Sequence, residues 1–316
     1  MKTPSFIKFI RTQLAYAMLL VLCSCSDGGS SDTSGGRGSS SSNPGAFTLS
    51  ITDAAVDEAQ EVWVQFTGAT LQPTNGNTIS FTFDSVKNIN LLNLQGTQST
   101  ELISNEVIPL GRYNWIRLHV NASNDGINDS YIKLNDGSEH ELWIPSGSQT
   151  GLKINTGFEF TATNELHLMV DFDLRKSVVL SSGNYKLRPT LRMINMNGVG
   201  SITGSIDMSL LTAASCSDAD PATGNAVYLF EGENIIPDDM DNQNPEPVTS
   251  ARVELNTSSG NYEYIIGFVP ATDYTLAFTC QADLDEPDSN DNIAFSLSEN
   301  VTVTTDSSDE DNMIAR

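Results

Sequence analysis

From Ala46 onward apolar and polar residues alternate at every second position, and a chain patterned this way is committed to strands rather than helices. Phe47, Leu49 and Ile51 alternate with Thr48, Ser50 and Thr52, and Val62, Val64 and Phe66 alternate with Trp63, Gln65 and Thr67. Ile79, Phe81 and Phe83 follow, then Ile116, Leu118 and Val120. Leu166, Leu168, Val170, Phe172 and Leu174 make the longest run. Successive side chains on a strand point to opposite faces, so each run offers one face to a core and the other to water. Turn chemistry separates the runs, at Asn75-Gly76, Asn124-Asp125-Gly126, Asp136-Gly137 and Ser182-Gly183-Asn184. No long stripe of period 3.6 occurs; at most one short helical turn fits Thr97–Asn105. The expected fold is all-β, with two tandem antiparallel β-sandwich domains.

The N-terminus reads differently. Lys2, Lys8 and Arg11 precede an apolar segment from Leu14 to Leu22, far short of the ~20 residues that a membrane-spanning helix needs. A basic start, a short apolar core and small residues at the cut describe an export signal that is later removed. Leu22-Cys23-Ser24-Cys25 resembles the lipobox of bacterial lipoproteins, which implies a diacylglyceryl group on Cys25 and cleavage just before it. Cys25 fits because the small Ser24 precedes it, whereas bulky Leu22 precedes Cys23. The alternatives are a plain secretory signal cut nearby or a buried core segment. On the lipoprotein reading residues 1–24 are signal, and Ser26 after the lipidated cysteine implies an outer-membrane destination. Residues 25–45 are Ser/Gly-rich and form a tether of roughly 25 Å r.m.s. span.

Charge divides the remainder. The whole chain carries −24, and residues 1–24 hold three basic and no acidic side chains, so what is left carries −27. Residues 46–197 contain ten basic and sixteen acidic residues, whereas 198–316 contain two and twenty-two. A field of this sign repels phosphate backbones, so no nucleic-acid partner is expected. Solubility is its simplest meaning, with divalent cations or a salty habitat as alternatives. Cys216 and Cys280 are an even pair in an exported chain, where disulfides persist; two separate buried thiols are the alternative. His119, His140 and His167 are scattered without zinc-ligand spacing.

Seven blocks carry a resemblance. Leu49-Ser50-Ile51-Thr52-Asp53-Ala54, Glu61-Val62-Trp63-Val64 and Ile89-Asn90-Leu91-Leu92-Asn93-Leu94 come first. Pro109–Leu118, Ile144–Ile154, Asp171–Val178 and Tyr185-Lys186-Leu187-Arg188-Pro189 follow in order. This series resembles the bacterial domain-of-unknown-function 4382 family over roughly Ala46–Met196, with Ala55 where the family usually has proline. The resemblance implies a lipoprotein-associated β domain (46–197) and no established reaction. After Asn197-Gly198 the pattern restarts in Gly200–Ile206, Ala226–Phe230, Gly260–Ile265 and Pro270–Leu276. A Gly-x-Tyr strand leading through a Pro-containing turn to Tyr-x-Leu is similar to carboxypeptidase-regulatory-like, transthyretin-like sandwiches. That similarity implies a spacer or docking module over 198–316, interrupted by an acidic insertion at Pro237–Pro247.

Candidate chemistry is sparse. His167, Met169, Asp171 and Asp173 share one strand face, and two carboxylates ~7 Å apart permit acid–base work. Lys186, Arg188 and Arg192, at matching period, explain the same residues as a cross-strand charge ladder, with Asp173 opposite Arg188. Asp283, Asp285, Asp288, Asn290 and Asp291 pack oxygen ligands into one loop, a candidate calcium site without EF-hand spacing; a solvated acidic loop is the alternative. Ser146–Gly151 lacks nucleophile-elbow and Walker spacing and reads as a polar loop. Trp63, Trp115 and Trp143 offer a sugar-stacking platform if exposed together, or sheet-face cover if not.

No catalytic residue and no cofactor beyond possible calcium is expected. The reading is a non-enzymatic, lipid-anchored outer-membrane protein serving binding, adhesion or support, with the membrane and a glycan or envelope protein as partners. The alternative is a glycan- or calcium-dependent binding module of a polysaccharide-uptake system. A hydrolase using Asp171 and Asp173 comes third.

Overall fold

A computed structural model describes residues 44–316 apart from 55–58, 146–150, 162–164, 182, 189, 217–219, 287–288, 312 and 314–316. The export signal, the tether and Cys25 lie outside the described residues, as do Asp288 and most of the Ser146–Gly151 loop. No helix among the described residues is long and apolar enough to cross a membrane.

The first half of the chain folds as β1 (Pro44–Ala54), β2 (Ala59–Pro73), β3 (Ile79–Asn90), β4 (Thr100–Pro109), β5 (Gly111–Asn121), β6 (Tyr131–Leu134) and β7 (Glu139–Trp143). It continues with β8 (Leu152–Ile154), β9 (Phe158–Phe160), β10 (Glu165–Asp173), a single turn α1 (Leu174–Ser177), β11 (Val178–Ser181), β12 (Asn184–Leu187) and β13 (Leu191–Asn195). One sheet has the order β13-β10-β1-β4. The other runs β11-β12-β7-β6-β2-β5-β8, with β3 also on β2 and β9 on β5. Phe47, Leu49, Ile51, Val62, Val64, Phe66, Leu168, Val170 and Phe172 meet between them, each no more than 2% exposed. These are the inward positions of the alternating runs. The ladders are mostly antiparallel, but β1 pairs with β10 in parallel, Phe47 opposite Leu166 and Ile51 opposite Val170.

The second half folds as β14 (Val199–Ile206), α2 (Met208–Leu211), β15 (Ala226–Glu231), β16 (Thr249–Arg252), β17 (Glu254–Leu255), β18 (Tyr262–Pro270), β19 (Asp273–Thr279), β20 (Phe295–Thr302) and β21 (Ser308–Glu310). Two four-stranded sheets result, β17-β18-β14-β21 and β16-β15-β19-β20. Strand β15 is buried on both faces, the pattern of a central covered strand. Val227 and Leu229 enter the sandwich core. Ala226, Tyr228 and Phe230 enter a smaller cluster with Met240, Ala282 and Phe295, roofed by the acidic insertion and the loop after β19. Cys216 and Cys280 are bridged, with Cα atoms 5.3 Å apart across a separation of 64 residues. Closing a loop of that size stabilises by roughly 4 kcal/mol in the chain-entropy model.

No helical turn forms within Thr97–Asn105, where at most one short turn could have fitted. That segment leads into β4, and a 3-10 turn forms instead at Leu91–Leu94, where the Asn90 side chain accepts the Leu92 N–H. Irregular register between β1 and β4 places neighbouring Leu102 and Ile103 both in the core, which hides the two-residue period.

Each half closes a corner with the same device. The Tyr113 hydroxyl donates to the Pro109 carbonyl at 2.6 Å, and the Tyr274 hydroxyl donates to the Pro270 carbonyl at 2.9 Å. Both follow a Pro-x-x-x-Tyr spacing, the bond type of a tyrosine corner. Burial raises both phenols, Tyr274 to about 12, so each stays a donor at neutral pH. Tyr274→Phe should cost about 1 kcal/mol in urea unfolding, the net worth of one such bond.

Near the C-terminus, burial and the neighbouring Glu299 push the Asp311 carboxyl up to about 6. A folded-state value above the ordinary carboxylate value means that the native state holds this proton more tightly than the unfolded chain. Its contribution to stability therefore declines as pH rises from about 4 to about 6. Asp311→Asn should stabilise the fold at pH 7 and leave it nearly unchanged at pH 4, measured by denaturant midpoints.

Candidate functional site

The ionisable side chains gather where the two halves meet. Residues 42–316 form one compact unit, and the outer face of the β13-β10-β1-β4 sheet lies against β18. Met169 and Ile194 on that face pack with Val199, Met196 and Phe268. Phe268 takes a left-handed conformation (φ 53°), unfavourable for a bulky residue, and its ring joins this contact. A side chain on Gly267 would run into the Gly96 carbonyl, so two backbones touch there. Between these contacts lies a cleft of about 290 Å³ lined by residues that include Thr52, Asp53, Asp171, Ser250, Arg252 and Tyr264.

Strand β10 ends in α1 because Asp173 caps the turn, accepting the Lys176 N–H at 3.2 Å. The turn sends two cations, each under 10% exposed, toward the second half. Arg175 Nη1 donates to the Ala282 carbonyl at 2.8 Å and to the Tyr228 hydroxyl at 3.1 Å, with the guanidinium over the Tyr228 ring. Tyr228 in turn donates to Asp285 Oδ2 at 2.5 Å. Lys176 pairs with Glu246 of the acidic insertion and lies 3.9 Å from Asp173. Burial is the first cause raising the Asp173 carboxyl, and Lys176 opposes it.

This geometry corrects the charge ladder. Asp171 pairs with Arg192 at 2.7 Å, directly across the β10–β13 ladder. Asp173 faces Lys176 instead of Arg188, because β12 belongs to the other sheet, next to β7 and β11, and Arg188 follows it before β13 returns to β10. Asp171 and Asp173 thus hold separate partners. Each histidine has a hydroxyl partner: His167 with Ser50 at 2.8 Å, His119 with Thr70 at 2.7 Å, His140 with Ser138 at 3.0 Å. The Ser50–His167 pair, not foreseen from sequence, has the spacing of a nucleophile and base. Ser50 is only 2% exposed, so an acyl group has no approach to its oxygen. Burial lowers His167 and His119, keeping both rings neutral at pH 7.

The three tryptophans do not form one platform. Trp115 lies opposite Gln72 on β2, nine residues along that strand from Trp63, or ~30 Å. Each is half-buried on the outer side of the large sheet. Arg117 and Lys153 flank Trp115, Lys186 covers Trp143, and Tyr131 stacks on Trp63.

The acidic loop after β19 is rearranged relative to its sequence. Asp285 and Asp291 converge, and they are joined by Asp239 from the insertion, with one carboxylate oxygen of each within 4.8 Å of the others. Asp283 turns away, its Oδ1 beside Gly224. Asn290 donates to Asp241 at 3.0 Å. Asp239 lies about fifty residues before its partners, so no local spacing announces it.

Arg175→Ala should cost about 1.5–3 kcal/mol, the range for losing a hydrogen bond to a charged group. Equilibrium unfolding in urea checks it.

No curated protein matches the chain. Among solved structures, the Bacillus anthracis TIE protein is 10% identical with a TM-score of 0.19; 85% of this chain is covered, but only 34% of that one. GBS52, the minor pilin of Streptococcus agalactiae, is 13% identical with a TM-score of 0.19, covering 84% of this chain and 94% of the pilin. The fimbrial anchor protein Mfa2 of Porphyromonas gingivalis is 7% identical with a TM-score of 0.20, covering 80% and 82%. Superpositions this loose carry no inference about role. The chain spans about a third of the TIE protein and 26% of a Bacteroides thetaiotaomicron leucine-rich repeat protein that also matches. Residues 44–189, which contain both sheets of the first sandwich up to the end of β12, match the model of a domain of unknown function, DUF4382.

Proposed function

We propose that the chain is a non-catalytic, lipid-anchored protein of the cell envelope. Its two sandwich halves act as one stiff body for binding, adhesion or support, joined to the outer membrane through Cys25 and the 25–45 tether. The observation that carries this reading is the commitment of the acid–base side chains. Asp171, Asp173, Arg175, Lys176 and Arg192 are engaged in ion pairs and hydrogen bonds that brace the fold and join the halves. Groups held this way brace the junction, and these partners account for their placement without a substrate. The second half fits the carboxypeptidase-regulatory-like reading. Gly260-Asn261-Tyr262 enters β18, the chain turns after Pro270, and Tyr274-Thr275-Leu276 lies in β19. A spacer or docking unit of this kind suits a load-bearing role. The dispersed tryptophans give little support to a shared glycan platform.

The test has two arms. Protease applied to intact cells should remove a C-terminal epitope if the body is displayed outward; protection lost on permeabilising the outer membrane would assign it to periplasmic support. In the second arm, cells carrying Ser50→Ala or His167→Gln should bind surfaces and envelope fractions as well as wild type does. Hydrolytic turnover by the purified protein that disappears in either folded variant would overturn the non-catalytic reading.

A further inference from the structure

Three carboxylates converge under the roof of the second half. Asp239 and Asp285 are 1% and 6% exposed, and Asp291 is half-buried. One oxygen from each falls within 4.8 Å of the others. Donors to one ion with metal–oxygen distances of about 2.4 Å lie at most about 4.8 Å apart, so three oxygens within that span can share a single coordination shell. Protein groups satisfy only part of this cluster. Asp285 Oδ2 accepts the Tyr228 hydroxyl and Oδ1 accepts the Met240 N–H at 3.1 Å. Asp291 Oδ2 accepts the Glu286 N–H at 2.7 Å. Asp239 Oδ2 accepts the Asp291 N–H, but Asp239 Oδ1 is sealed from water with no hydrogen-bond partner. A buried carboxylate oxygen left in this state costs the native fold unless it meets a proton or a cation.

The charges around it are of the wrong sign to supply that need. Asp238 and Asp241 flank Asp239, and both act on it as like charges. Arg175 reaches Asp285 through Tyr228 and is already held by the Ala282 carbonyl. Three acids facing one indirect cation leave an excess negative charge in a largely buried site.

We propose that Asp239, Asp285 and Asp291 bind a hard divalent cation, best matched by calcium, which pins the acidic insertion onto the loop after β19. The donors are all carboxylate oxygens on irregular loops, the chemistry of a cation that takes six to eight oxygens in flexible geometry. Magnesium demands a tighter, near-octahedral shell that irregular loops serve poorly. Bound there, the ion supplies the partner that Asp239 Oδ1 lacks. Through Asp285 and Tyr228 it also touches the hydrogen-bond chain that ends at Arg175, so loading should be felt at the junction between the halves. The ligand set differs from the contiguous 283–291 loop, for it needs Asp239 and dispenses with Asp283.

The test is calcium titration of the full chain by calorimetry, paired with thermal unfolding in calcium and in chelator. Wild type should bind one calcium in the sub-millimolar to millimolar range of extracellular modules and unfold at higher temperature when loaded. Asp239→Asn should weaken binding at least tenfold and abolish the calcium-dependent shift, while unfolding in chelator no earlier than wild type, because it removes a buried charge. Asp283→Asn should keep wild-type affinity. Absence of calcium heat and of any calcium-dependent shift in wild type would overturn the site, as would an undiminished shift in Asp239→Asn. Equal response to magnesium and calcium would overturn the choice of ion.

Discussion

A β-sheet has two faces, and a sandwich covers only one of them. In this chain two sheets bury part of their second face as well, and the junction answers to that demand. The outer side of β13-β10-β1-β4 carries Ser50, Thr52, Met169, Asp171 and Arg192, a mixed surface that the second half partly covers. The outer side of β15 carries Tyr228 and Phe230, which the acidic loops roof over. Covering polar groups without pairing them costs more than the contact returns. The junction is therefore dense in matched partners: Asp171 with Arg192, Lys176 with Glu246, and Arg175 with Tyr228 and the Ala282 carbonyl.

The single turn α1 connects these two coverings. It follows directly on β10, whose inward residues belong to the first core, and it delivers Arg175 to the cluster above the second. A basic side chain arriving in the most acidic part of the molecule reduces the charge that those loops must bear. One reason that residues 198–316, with twenty-two acidic and two basic side chains, pack at all beside the first half is that it lends two cations. The carboxylates beyond reach of those cations, Asp239 foremost, are where the balance fails locally, and that shortfall is what the proposed cation would fill.

Much of the sandwich was legible because strand parity is a local property. The inward residues of β1, β2, β5 and β10 are those that the two-residue alternation marks as apolar. The paired cysteines needed only compartment and parity. The Pro-x-x-x-Tyr spacing, present twice, stands in the sequence as the signal for both corner hydrogen bonds, though its meaning appears only once the turns are seen. The Thr97–Asn105 segment stayed ambiguous because register irregularities between β1 and β4 put Leu102 and Ile103 side by side in the core, and adjacent apolar residues break a period of two.

What the sequence by itself determined, then, is which residues face inward, where turns fall and where acid accumulates, all set by interactions within a few positions. Only the tertiary structure decided which strands became neighbours, and with them every cross-strand and cross-half partner. Asp173 found Lys176 rather than Arg188 because β12 joined the other sheet. Ser50 and His167, 117 positions apart, met because β1 and β10 run in parallel. Asp239 joined Asp285 and Asp291 because two distant loops close over the same face of β15. Such pairings depend on burial summed over whole sheets, and no short window of sequence contains that sum.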